Sequence, residues 1–64
     1  MASLHHAQLA AITTGVEDNS QRIVDLAGEL DGSLSSDAIS DLYEAERSLR
    51  MAGRALARAA KALP

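Results

Sequence analysis

The sequence predicts an all-α fold: an antiparallel two-helix hairpin, an alanine-rich coiled coil that pairs into a four-helix bundle. Three observations lead there. In the second half, leucine recurs every seven residues at Leu42, Leu49, Leu56 and Leu63, and alanine at Ala38, Ala45, Ala52 and Ala59. Interleaved steps of four and three put both series along one stripe of a helix. In the first half, Leu9, Ile12, Val16, Asn19, Ile23, Leu26 and Leu30 repeat the heptad without a slip. Between the two halves, Asp31-Gly32-Ser33-Leu34-Ser35 reads as a helix stop followed by a helix start.

Helix 1 is expected over about residues 3–31, with Ser3 as N-cap or with fraying before it. Extending the heptad backwards places His5 in the stripe. Thr13-Thr14-Gly15 is the weak point, because β-branched residues and glycine lower helix propensity. The unbroken register across it favours a continuous helix, since a true break would shift the phase. Gly32 supplies the left-handed residue that commonly follows a helix end. The turn is expected at 32–34. Helix 2 then covers about 35–63: Ser35 caps the amide of Asp37 or Ala38, Asp37 suits the positive helix end, and Leu34 can staple onto Ile39. So short a connection makes the helices antiparallel. The whole chain, 1–64, is one helical-hairpin domain.

Folding the chain back near Leu34 sets Leu30 against Ala38, Leu26 against Leu42, Ile23 against Ala45 and Asn19 against Leu49. It continues with Val16 against Ala52, Ile12 against Leu56, Leu9 against Ala59 and His5 against Leu63. Each stripe alanine of helix 2 meets a large aliphatic of helix 1, which lets the axes approach closely. One flank is left apolar by this register: Ala10, Val24, Ala27, Ile39, Tyr43, Gly53, Ala57 and Ala60. The opposite flank is polar, with Asp18, Arg22, Asp25, Glu29, Asp41, Glu44 and Ser48. The apolar flank is expected to dock a second copy, giving a homodimer or larger assembly. Asn19, polar in an apolar stripe, is expected to set register.

Composition points the same way. A 64-residue chain without Cys, Trp or Phe, and with 13 alanines, buries little on its own. Self-association is the usual remedy in the absence of disulfides or a metal. The net charge of −3 argues against a general nucleic-acid coat. No apolar run is long enough to span a bilayer, and Met1–His6 does not read as a secretory signal. A cytoplasmic protein without membrane association is expected.

Few residues suggest chemistry. His5 and His6 are adjacent, so on a helix they diverge by about 100° and do not chelate one metal well. No metal or cofactor is expected. The serines at 33, 35 and 36 are explained by capping. No constellation of nucleophile, base and orienting group is present, so an enzyme is not expected. Arg47, Arg50, Arg54, Arg58 and Lys61 line the outward face of helix 2, and no acid lies among residues 47–64. This stripe complements the negative end of the helix dipole and is also a candidate surface for an acidic partner or phosphate. No aromatic residues interleave it to stack bases.

The turn Asp31-Gly32-Ser33 stands where small secreted hairpins of the WXG type carry Trp-x-Gly, and Tyr43 is followed at four residues by Arg47 rather than an acid. That family's function is therefore not carried over. The functional expectation is a non-enzymatic interaction and oligomerisation module acting through helix packing, as an adaptor or regulator of a partner protein. The alternative is a nucleic-acid-associated regulator that uses the basic stripe.

Overall fold

A computed structural model describes residues 2–64, with side chains from Leu4 onward. Helix α1 runs Ala2–Leu30 and helix α2 runs Ser36–Ala62. They pack against each other as an antiparallel hairpin, and no strand occurs among the described residues. At about 1.5 Å per residue, the 29 residues of α1 span roughly 43 Å. That accounts for most of the 49 Å long axis. The other two extents, 15 and 9 Å, correspond to two helices side by side in a single layer.

α1 is continuous through Thr13-Thr14-Gly15. The Thr13 hydroxyl donates to the Leu9 carbonyl at 2.9 Å, so it is satisfied within the helix and does not compete with it. The backbone of Ser3 is already helical; its side chain, and with it the capping role expected of it, lies outside the described residues. At the other end the Leu30 carbonyl accepts from the amides of Ser33 and Leu34. Gly32 takes φ +87°, a left-handed conformation that costs an L side chain about 1 kcal/mol or more. The connection is Asp31–Ser35, two residues longer than the expected turn. Ser35 caps α2: its hydroxyl accepts from the Ala38 amide at 3.2 Å, and Asp37 lies in the first turn.

The packed stripe differs from the expected one. Leucines 42, 49, 56 and 63 do turn inward, as do Leu9, Val16, Ile23 and Leu30. The residues that accompany them are Thr13, Ser20 and Ala27 on α1, and Ile39, Glu46, Gly53 and Ala60 on α2. Ile12, Asn19, Leu26, Ala45, Ala52 and Ala59 are exposed instead. His6 is half-buried where His5 was expected. Each helix is thus rolled by about 50° from the expected seam. A Cβ built on Gly53 would meet Val16 Cγ1 at 4.0 Å, one residue along from the Val16–Ala52 pairing.

Two physical reasons favour this roll. Carried along both helices, the register of Gly53 against Val16 keeps large against small, bringing Leu42, Leu49 and Leu56 level with Ala27, Ser20 and Thr13. The roll also sends Asn19 to water, where its amide needs no protein partner. The cost is a thin core. Ala27, 1% exposed, is the only buried hydrophobic residue among those described.

The glycines give a direct check. A Cβ on Gly15 or Gly28 meets nothing within 4 Å. Gly15→Ala and Gly28→Ala should each raise stability by about 0.5–1 kcal/mol through helix propensity. Gly32→Ala should lower it by about 1 kcal/mol, because its φ is positive. Thermal melts followed by circular dichroism should therefore move in opposite directions.

Candidate functional site

The two helices expose two long flanks, one on each side of the seam. On the first, α1 presents Ala10, Glu17 and Val24, and α2 presents Tyr43, Arg50 and Ala57. A groove of about 450 Å³ runs along it, lined by Val16, Ser20, Val24, Leu49 and Ala57, with Arg50 and Arg54 on the α2 rim and Glu17 on the α1 rim. On the second flank, α1 presents Ile12, Asn19 and Leu26, and α2 presents Ala45, Ala52 and Ala59. A larger and more open depression there, about 650 Å³, is lined by Asn19, Arg22, Ile23, Asp25, Leu26, Glu29 and Leu49.

At the floor of the first groove lies the Glu46 carboxylate, whose i,i+4 spacing to Arg50 predicts an ion pair but not its burial. Glu46 sits in the seam and is 8% exposed. The Ser20 hydroxyl donates to Glu46 Oε2 at 2.9 Å across the helices. Arg50 Nε lies 2.6 Å from the same oxygen, one turn along α2. The Arg50 side chain is 57% exposed, so solvent screens the pair, and contacts of that kind contribute about 0.5 kcal/mol or less. A hydrogen bond to a charged group away from water contributes about 1.5–3 kcal/mol. Both donors meet the same oxygen, Ser20 from the facing helix and Arg50 from the next turn, and together they make the buried charge tolerable. Among the described residues, no buried side-chain nitrogen or oxygen lacks a partner.

The residues expected to form one self-association flank are divided by the structure. Ala10, Val24, Tyr43 and Ala57 are exposed on the groove flank. Ala27, Ile39, Gly53 and Ala60 turn into the seam and pack within the chain, because the roll brings their side of the leucine row inward. They do not form a common outward patch with the other four. Asn19, expected to set register, is exposed on the second flank. Arg47, Arg54, Arg58 and Lys61 are exposed along the outer side of α2, while Arg50 engages Glu46. Among the described residues, no group of three or more His, Cys, Asp or Glu side chains is placed to hold a metal ion, and no helix is long and apolar enough to cross a membrane.

The chain matches no protein-family model, no curated protein and no solved structure.

Ser20→Ala should lower stability by about 1–2 kcal/mol, because it strips the buried carboxylate of its cross-helix donor. Glu46→Leu should be neutral or stabilising, since the exposed Arg50 can return to water and a leucine extends the apolar seam. Urea denaturation of the two variants separates these outcomes. A Glu46→Leu variant less stable than Ser20→Ala would show that the carboxylate holds the hairpin together.

Proposed function

We propose that this chain is a small, non-enzymatic, cytoplasmic interaction module. It acts through helix–helix packing, associates with itself as paired hairpins in a four-helix bundle, and serves as an adaptor or regulator for a partner protein. One observation carries the reading: the hairpin exposes too much surface for its mass. At 6.7 kDa, a compact folded monomer exposes about 3,900 Å². This chain exposes 4767 Å², roughly 850 Å² more. A standard protein interface removes about 800 Å² from each partner. The excess is the size of one side of a dimer interface, and it includes large apolar side chains on both flanks.

Light scattering coupled to size exclusion tests this. The expected mass is twice that of the chain or more at micromolar concentration, with helix content falling on dilution. A monomer with undiminished helix content at all concentrations would overturn the reading.

The basic stripe supports a second reading, contact with nucleic-acid phosphates. Residues 1–16 and 47–64 contain no acid, so Arg54, Arg58 and Lys61 are uncompensated on their half of the hairpin. Fluorescence anisotropy with a labelled duplex distinguishes the two. Phosphate binding should fall steeply between about 50 and 200 mM salt, whereas apolar helix packing should hardly change.

A further inference from the structure

We infer that the second copy docks on the flank opposite the Glu46 groove, with the two hairpins antiparallel and Asn19 facing its counterpart across a two-fold axis. This rests on the self-association proposed above, and adds which face and which orientation. In an antiparallel helix pair, the positions three residues after each inward leucine, valine or isoleucine fall on the same side of the seam. They bring Ile12, Asn19 and Leu26 of α1 beside Ala45, Ala52 and Ala59 of α2. Ile12 is 56% exposed and Leu26 43%. None of the six carries a charge; Arg22, Asp25 and Glu29 also line the depression on this flank, and all three are exposed. The equivalent positions on the groove flank include Glu17 and Arg50, whose desolvation would oppose docking. The alanines keep the α2 side of this flank low, so a second layer of helices can approach closely.

The occupant follows from charge. All nine acids lie between Glu17 and Glu46, and the hairpin gathers them on its turn half. The open half has Arg54, Arg58 and Lys61 and no acid. The molecule is therefore complementary to itself end for end. Copies stacked with like ends together would oppose acid to acid. Copies stacked with opposite ends together bring Arg58 and Lys61 alongside Asp37, Asp41 and Glu44 of the other chain. Charges pair effectively only within about 8 Å at physiological salt, which this stacking supplies along the α2 rims. Asn19 is then on the axis, with Ile12 against Leu26 on either side. A side-chain amide both donates and accepts, so two copies related by a two-fold can satisfy each other.

The chain has no Cys, so a single introduced thiol reports only its own counterpart. Asn19→Cys, oxidised with diamide, should give a disulfide-linked dimer, since bridging needs Cα atoms about 4.4–6.8 Å apart. Val24→Cys on the groove flank should stay unlinked. Ile12→Asp should raise the dimer dissociation constant at least about ten-fold. Helix content at high concentration separates loss of the dimer from loss of the fold. A wild-type chain that is monomeric would sink the self-association reading and this inference with it. A wild-type dimer in which Val24→Cys cross-links and Asn19→Cys does not would overturn the face alone. Dissociation by Ile12→Asp without cross-linking at Asn19→Cys would overturn the antiparallel orientation.

Discussion

Leu42, Leu49 and Leu56 can lie against α1 because the residues they meet there are small. Ala27, Ser20 and Thr13 make a shallow track along α1, and Gly53 makes room for Val16 in the reverse direction. Close approach of two helices depends on such alternation, since two rows of large side chains would hold the axes apart. Two helices side by side make a molecule one layer thick, and its smallest extent of 9 Å is the direct consequence. So is the lack of a true interior: a single layer of two helices has no place where a large side chain is covered from every direction.

A track of small residues is also a track of polar ones, and the hairpin deals with each locally. Thr13 bonds back to its own helix, and Ser20 crosses to Glu46. Glu46 is carried into the seam because its position follows the leucines with the same spacing as Gly53 and Ala60. Ser20 supplies its donor, and Arg50 reaches it from one turn away. The carboxylate is therefore a residue that the packing accommodates, with the ion pair as a screened supplement. The seam that satisfies these polar groups is the one that turns Ile12 and Leu26 outward. Local polar satisfaction and apolar burial thus conflict in the single hairpin. A second layer of helices would resolve that conflict, which is why the exposed flank and the surface excess point to the same conclusion.

Charge distribution adds direction to this geometry. The acids cluster toward the turn and the bases toward the open end, so a hairpin has two unlike ends as well as two unlike flanks. In the dimer proposed above, the exposed flank would contribute area and the unlike ends would contribute alignment.

Much of this architecture was legible in the sequence. Two heptads in phase, Gly32 after Leu30, and Ser35 three residues before Ala38 determined two helices, their connection and their antiparallel course, because those features act over a few residues. The inward rows Leu9–Leu30 and Leu42–Leu63 were legible for the same reason. Which neighbours join those rows was not. The stripe through Ile12, Asn19 and Leu26 and the stripe through Thr13, Ser20 and Ala27 share the same row and the same alternation of three and four. They differ only by a roll of about 50°. Hydrophobicity along the chain favours the first. Only the tertiary structure decided for the second, because the choice depends on cross-helix contacts: Gly53 against Val16, Ser20 against Glu46, and Asn19 released to solvent. That roll moved Ala27, Ile39, Gly53 and Ala60 from surface to seam and turned Ile12 and Leu26 outward.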